Sequence, residues 1–310
     1  MHISFSDTSN LSDIYGPHNA HLKLLEEALG INIQAKSNEL TLKGPKNSLK
    51  QARNILNTLK ESVAKGHSFV VEDIKNMIHH VKEDIPMSNI TDTEIQVNGD
   101  PIRPRNPRQA DYINAIRANN ITFGIGPAGT GKTYLAVAMA VEAYLKGDIK
   151  RMIFCRPAVE AGESLGFLPG DMQEKVAPYL RPIHDALFDM MPPGNIEKAR
   201  QKGEIEIAPL AFMRGRSLNH SAIVLDEAQN TTPQQMKMFL TRYGRGAKMI
   251  VCGDPSQVDI KDGHKNGLSD ALAHLSDVPH TAFVKFSNKD VVRDEMVSHI
   301  LHAYDNAHRD

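Results

Sequence analysis

The chain has 310 residues, 41% of them apolar, and 36 Lys+Arg against 37 Asp+Glu give a formal net charge of −1. That length accommodates one large domain and one small one, each with its own core. The balanced charge excludes a polyanion-binding surface spread over the whole chain, so any such surface must be a local patch.

Two cysteines, Cys155 and Cys252, are too few and too far apart for a disulfide framework or a zinc site. Each closes a strand-like run (RMIFC, MIVC), where a small buried residue is expected. No apolar stretch approaches the ~20 residues of a membrane span. The first residues, MHISFSDTSN, show neither the basic start nor the apolar segment of an export signal. The expectation is a cytoplasmic protein with no membrane segment.

In chain order, residues 1–62 hold a first module, predicted as helix–strand–strand–helix over 11–62. Leu22, Leu25 and Leu29 mark a helix face that Gly30 stops. INIQA and ELTLK alternate, with Ile31, Ile33, Leu40 and Leu42 on one side and Asn32, Gln34 and Thr41 on the other. A turn over SNE joins them. The closing helix carries an apolar stripe (Leu49, Ala52, Leu56, Leu59) and a basic one (Lys46, Lys50, Arg53, Lys60). Residues 63–108 read as a connector: a short helix-like run, VEDIKNMIHH, then acids, then the proline-punctuated PIRPRNPR.

From residue 109 to residue 310 helix-like and strand-like runs alternate. ITFGI, RMIFC, AIVLD, KMIVC and TAFVKF are short and apolar, and helix-like runs such as TYLAVAMAVEAYLKG and PQQMKMFLTRYG separate them. This predicts an α/β fold, a buried parallel sheet with helices on both faces. Met236, Met238 and Phe239 are read as core packing.

Three motifs carry chemistry. Gly126-Pro127-Ala128-Gly129-Thr130-Gly131-Lys132-Thr133 is a complete GxxxxGK[ST] that follows a predicted strand and opens a predicted helix. Its backbone N–H groups would converge on a polyphosphate, helped by the partial positive charge of the helix N-terminus. Lys132 would reach the β- and γ-phosphates, and Thr133 would ligate Mg²⁺. In AIVLDE, an apolar strand delivers Asp226 and Glu227 to its C-terminal end, expected beside the P-loop. Asp226 would complete the Mg²⁺ shell through water, and Glu227 would orient and deprotonate the attacking water. After the next strand, GDPSQ offers Gln257 as a γ-phosphate sensor, with Asp254 supporting the loop; an ordinary turn is the alternative.

Taken together, GPAGTGKTYLA, RPAVEAGESLGFLPGD, APLAFMRGRSLNH, LDEAQN and GDPSQVD resemble the PhoH family of ATPases, in its bacterial PhoH-like branch, over roughly residues 100–305. The resemblance implies a RecA-like P-loop NTPase core related to superfamily-1 helicases, with ATP and Mg²⁺ as cofactors. It also implies Gln109, in RNPRQADY, as the adenine reader, since a side-chain amide pairs with adenine N6 and N7. A superfamily-1 helicase closes two lobes on ATP, whereas this chain has length for one. Arg293 in KDVVRDEMV is therefore the candidate for stabilising phosphoryl charge on a neighbour's ATP, in a homo-oligomeric ring such as a hexamer. The acids Asp294 and Glu295 depart from the family's VVRHP-type pattern.

The first module resembles a minimal KH domain, an RNA-binding fold whose GxxG loop clamps phosphates. The matching segment is Gly16-Pro17-His18-Asn19, which lacks the second glycine, and its basic stripe is read either as an RNA contact or as a solvated face. GESLG, residues 162–166, fits GxSxG but does not sit at a strand-to-helix turn, and the 14 histidines lack metal-ligand spacing; neither is assigned chemistry. The reading that follows is an ATPase acting on RNA or RNA–protein complexes, in ribosomal RNA processing, with a ribonuclease partner. The alternative is a nucleotide-dependent switch or scaffold with slow hydrolysis; a small-molecule kinase fits the DEAQ motif less well.

Overall fold

The computed structural model describes residues 1–5, 11–64, 69, 71–82, 93–157, 172–258 and 266–292. Arg293 and the GESLG segment lie outside the described residues. The chain divides into two compact units, Met1–Glu94 with Arg103–Pro107, and Ile95–Ile102 with Arg108–Asp310. No described helix is long and apolar enough to cross a membrane.

The first unit runs β1 (His2–Ser4), α1 (Leu11–Tyr15), α2 (Ala20–Leu29), β2 (Asn32–Lys36), β3 (Glu39–Lys43), α3 (Lys46–Ala64) and α4 (Val71–Lys82). Its antiparallel sheet has the order β1-β3-β2. The predicted stripes meet in one core, where Leu22, Leu25, Leu29, Leu40, Leu42, Ala52, Leu56 and Leu59 are all buried. Each fully buried Leu of this kind is worth about 1.5–3 kcal/mol. Strand β1 is an addition: three residues are too few to show alternation in sequence, yet Ile3 and Phe5 close the core. The stretch read as a connector, 63–108, is partly folded. Helix α4 places Ile74, Met77, Ile78 and Val81, a helical i, i+3, i+4, i+7 stripe, in the same core.

The GPHN segment lies between α1 and α2. Asn19, where the second glycine would stand, holds φ 60°. Asn tolerates this left-handed conformation better than most L-residues, so the turn survives the substitution.

The second unit runs α5 (Pro107–Ala118), β4 (Ile121–Ile125), α6 (Lys132–Leu145), β5 (Arg151–Arg156), α7 (Met172–Met190), α8 (Pro193–Gln201), β6 (Ile205–Pro209), β7 (Ser221–Leu225), α9 (Pro233–Leu240), β8 (Lys248–Gly253), α10 (Gly267–His274) and β9 (Thr281–Lys285). Six strands form one parallel sheet in the order β6-β5-β7-β8-β4-β9. Its faces carry separate apolar clusters. One packs Met152, Phe154, Val224 and Ile250 against α5, α6, α7 and α8; the other packs Phe123, Ile153, Ile223 and Val251 against α9 and α10. Met236 and Phe239 belong to the second cluster, and both cysteine side chains are fully buried.

The acids lie beside the P-loop, with Asp226 bonded to Thr133, although β8 stands between their strand β7 and the P-loop strand β4. One feature departs from the sequence reading. Strand β6 is absent from the sequence reading, because Glu204 and Glu206 break the apolar run that marks a buried strand. It is an edge strand with one neighbour, which tolerates such charges.

One buried acid fastens α6 to its surroundings. Glu142, 5% exposed, accepts from Gln96 N–H (3.0 Å), from Arg117 Nη2 (3.2 Å) and from Lys146 Nζ (3.0 Å). Burial pushes its pKa up, but the backbone bond from Gln96 and the two cations outweigh this and hold the carboxyl below its ordinary value. A depressed folded-state pKa gives stability that is present above the ordinary carboxylate range and lost as pH falls through the depressed value. Glu142→Ala is expected to lower the unfolding free energy by roughly 1.5–3 kcal/mol in urea melts at neutral pH, the scale for bonds to a charged group. The difference from wild type should shrink in acid.

Candidate nucleotide site

Parallel strands end on one edge of a sheet, and the loops after β4, β7 and β8 meet there. The P-loop leaves β4 with Gly126 at φ 143° and reaches the first turn of α6 through Gly129 and Gly131 at φ 78° and 82°. A Cβ at Gly126 would collide with the Phe286 carbonyl, so both space and dihedral require glycine there. The loop is tied on its flanks: Gly126 N–H donates to Gly253 O (3.1 Å), and Val292 N–H donates to Gly129 O (2.9 Å).

Lys132 folds back over this loop. Its Nζ donates to Gly126 O and Pro127 O, both at 2.7 Å, and to Thr130 Oγ1 at 3.2 Å. Burial lowers its pKa, and the carboxylates of Asp254, Asp226 and Glu227 work against that shift. An ammonium held only by neutral carbonyls and a hydroxyl, and depressed by burial, gains most from an anion that comes within reach of it.

Thr133 Oγ1 donates to Asp226 Oδ1 at 2.6 Å. This joins the first turn of α6 to the end of β7 across the intervening strand β8. Asp226 is 6% exposed, and its N–H donates to Cys155 O at the end of β5 (2.9 Å). Burial raises its pKa, against the lowering effect of the Thr133 hydroxyl. A hydroxyl and a carboxylate are hard oxygen donors, the set that suits Mg²⁺ beside phosphate. Thr133 and Asp226 therefore fit the metal role expected of them.

Glu227 follows in a left-handed conformation, φ 51°, unusual for a residue with a side chain. Arg156 Nη2, from the end of β5, donates to its Oε1 at 3.0 Å, and Gln229 Nε2 donates to its Oε2. Gln229 is buried, and its Oε1 accepts from Asp254 N–H at 3.0 Å. Asp254 in turn accepts from Gln257 Nε2 (2.6 Å) and from the Ser256 hydroxyl (2.7 Å). Burial raises the pKa of Asp254, and the bonds from Ser256 and Gln257 outweigh that, so the net shift is downward.

A cleft of about 280 Å³ opens over these groups, lined among others by Gly129, Lys132, Thr133, Asp226, Glu227, Asp254 and Gln257. The structure thus brings together every P-loop residue from Gly126 to Thr133, both acids and the GDPSQ glutamine. Gln109 is placed differently. It is buried beneath the loop, donating from Nε2 to Thr130 O at 3.0 Å, and is not among the residues lining the cleft. One participant, Gln229, the last member of DEAQ, had no assigned role in the site from sequence, and Arg156, the next candidate after Arg293 for an arginine at the phosphates, is here the partner of Glu227. The signal for Gln229 was its fixed place in that motif; nothing local marked Arg156 as the partner of Glu227.

A family model described as PhoH-like protein matches residues 101–305. The chain belongs to the PhoH family. The PhoH-like protein of Bacillus subtilis (strain 168) is 45% identical over 296 residues, covering 94% of this chain and 93% of that one. Protein PhoH of Escherichia coli (strain K12) is 44% identical over 206 residues, 66% of this chain and 58% of its own. Among solved structures, the Sulfolobus solfataricus SWI2/SNF2 ATPase core in complex with dsDNA aligns with 47% of this chain and 31% of its own at 16% identity and a TM-score of 0.32, too distant to argue from. This PhoH-family chain has the P-loop nucleotide hydrolase fold, with its phosphate loop and paired acids on one sheet edge.

If Lys132 exchanges its two loop carbonyls for the oxygens of a bound polyphosphate, removing the ammonium deletes two contacts to anionic oxygens. At about 1.5 kcal/mol each, Lys132→Ala is expected to weaken nucleotide binding roughly 100-fold in a fluorescent-nucleotide titration. Wild-type affinity in that variant would place the phosphate site elsewhere.

Proposed function

We propose that this PhoH-family protein is a Mg²⁺-dependent ATPase that acts on RNA or RNA–protein complexes, in ribosomal RNA processing, with a ribonuclease partner. The observation that carries the enzymatic part is the Thr133–Asp226 bond of 2.6 Å, with Lys132 on one side and Glu227 on the other. Lys132 exchanges its loop carbonyls for β- and γ-phosphate oxygens. Thr133 and Asp226 hold Mg²⁺, which when bound neutralises phosphate charge. Glu227 accepts the proton of the attacking water as its oxygen bonds to the γ-phosphorus and the bond from that phosphorus to the β–γ bridging oxygen breaks, so that ADP and phosphate leave; Gln257 senses the γ-phosphate. Gln109 reads adenine from its place under the loop, which shows as preference for ATP over GTP. The RNA part is supported by the KH-like first unit, whose α3 leaves Lys46, Lys50 and Arg53 exposed.

A second reading, a slow nucleotide switch, has one observation in its favour. Both oxygens of Glu227 are engaged, by Arg156 and Gln229, so the base is withheld until that pairing opens. Glu227→Gln should bind ATP normally and hydrolyse it at least about 100-fold more slowly, the scale for losing a general base. Equal loss of binding and turnover would make Glu227 a metal or structural group. RNA-stimulated turnover of wild type supports the first reading. Slow turnover indifferent to RNA, accelerated by Arg156→Ala, supports the switch.

The active species we propose is a ring, such as a hexamer, with Arg293 reaching a neighbour's ATP. One lobe supplies Lys132, Thr133, Asp226, Glu227 and Gln257, and an arginine supplied from a neighbour is worth roughly 10³–10⁵ in rate. Head-to-tail contacts of this kind close into rings when the rotation permits. Val292, one residue before, is bonded to the P-loop of its own chain, so a same-chain role for Arg293 is the competing outcome. Mixing separates them: inactive Lys132→Ala and Arg293→Ala proteins should together recover activity if the arginine acts between chains. No recovery, with a fully active monomer at high dilution, places it within one chain.

A further inference from the structure

The motif APLAFMRGRSLNH has no part in the nucleotide cleft. It lies on the crossover between β6 and β7, which begins on the sheet edge that carries the nucleotide site. Residues 210–213 form a short turn that buries Leu210 and Met213 in the core, while Phe212 stays 42% exposed. A packed turn that leaves its largest apolar side chain in solvent is not explained by core formation. Arg214 follows it, exposed and without a side-chain ion pair among the described residues.

The segment is rigidly mounted. Arg216 makes a bidentate pair with Glu206 of β6, both contacts at 2.6 Å. Arg242, beyond α9, donates to Arg216 O at 2.9 Å, Leu218 N–H donates to Arg242 O at 3.0 Å, and His220 N–H donates to Arg245 O at 2.8 Å. A parallel bridge joins Leu218 to Tyr243. These bonds lay the loop 241–247 alongside the crossover and add Tyr243, 37% exposed, and the exposed Arg245 to the same strip.

Charge in this part of the chain is one-sided. Residues 207–225 and 228–253 contain no acid at all, in a chain whose formal net charge is −1. Arg216 is paired with Glu206 of β6 and Arg242 ties the second loop to the first, while Arg214 and Arg245 face solvent. The crossover, with Phe212 and Arg214, and the loop bonded to it, with Tyr243 and Arg245, therefore carry exposed aromatics and exposed arginines on a fixed backbone. Aromatic faces stack on unpaired bases and guanidinium groups meet phosphates, which is the chemistry that holds a single strand without reading its sequence. A duplex offers phosphates but no free base face, so it uses only half of such a strip.

We infer that the strip Phe212, Arg214, Tyr243 and Arg245 is a binding surface for single-stranded RNA on the ATPase unit itself, separate from the KH-like unit. The inference rests on the RNA reading proposed above and names where the strand engages. The test uses the full chain with a labelled oligouridine 20-mer and a duplex of the same length, titrated over a series of salt concentrations. Wild type should prefer the single strand. Phe212→Ala should weaken it roughly tenfold, since a stacked base is worth about 1–3 kcal/mol. Arg214→Gln and Arg245→Gln should each flatten the slope of log affinity against log salt by about 0.7. All three side chains are exposed, so unchanged melting and unchanged fluorescent-nucleotide binding confirm an intact fold. Wild-type RNA affinity and salt slope in the triple variant would overturn the inference while leaving the RNA reading standing. A wild type that binds neither RNA removes that reading and the inference with it. A triple variant whose change is in solution mass, with RNA binding intact, overturns it in favour of a contact between copies of this chain.

Discussion

The hydrogen bond between Thr133 and Asp226 ties the first turn of the helix behind the P-loop to the end of a strand two places away in the sheet. Everything chemical in the second unit is arranged around that tie. It depends on a parallel sheet, because only parallel strands deliver several loop starts to one edge. It depends equally on β8 between the two motif strands, which sets the GDPSQ loop under the same cleft. The bond is costly to make, since Asp226 must leave water and burial raises its pKa. On the function proposed above, a metal and a polyphosphate would offset that cost.

Around that tie the polar groups form a continuous chain. Arg156 holds Glu227, Glu227 accepts from Gln229, Gln229 accepts from the Asp254 backbone, and Asp254 accepts from Gln257. Glu227, the proposed base, and Gln257, the proposed sensor, are thus linked through the buried amide of Gln229 and through Asp254. Glu227 in a left-handed conformation adds local strain, which is stored where a side chain has to be aimed.

The two units use their basic residues differently. On α3 the exposed cations follow from helical periodicity, since whatever is not on the apolar stripe points outward. On the β6–β7 crossover and the loop after α9 the exposed arginines, Arg214 and Arg245, sit on irregular backbone that Arg216 and Arg242 help to hold. Exposed cations and aromatics on such backbone are what the inference above assigns to a ligand with both charge and flat faces.

The P-loop and its flanking strand and helix were legible in the sequence because that site is local: one stretch of eight residues, Gly126 to Thr133, supplies backbone donors, cation and hydroxyl. The acids Asp226 and Glu227 were legible for the same reason, as the end of one apolar run. The alternation of apolar stripes also marked the helices and strands of both cores, apart from β1, too short to show a period, and β6, whose glutamates hide it. What the sequence could not supply was adjacency between strands. It held no sign that β8 separates β7 from β4, that Arg156 would meet Glu227 across 71 residues of chain, or that Gln109 would lie under the loop, 21 residues from the carbonyl it binds. The crossover and the loop after α9 became one surface only through hydrogen bonds between segments 24–26 residues apart. Periodicity and motif spacing are properties of neighbouring residues. Strand order and the pairing of distant side chains are settled only when the sheet closes and each buried polar group must find a partner.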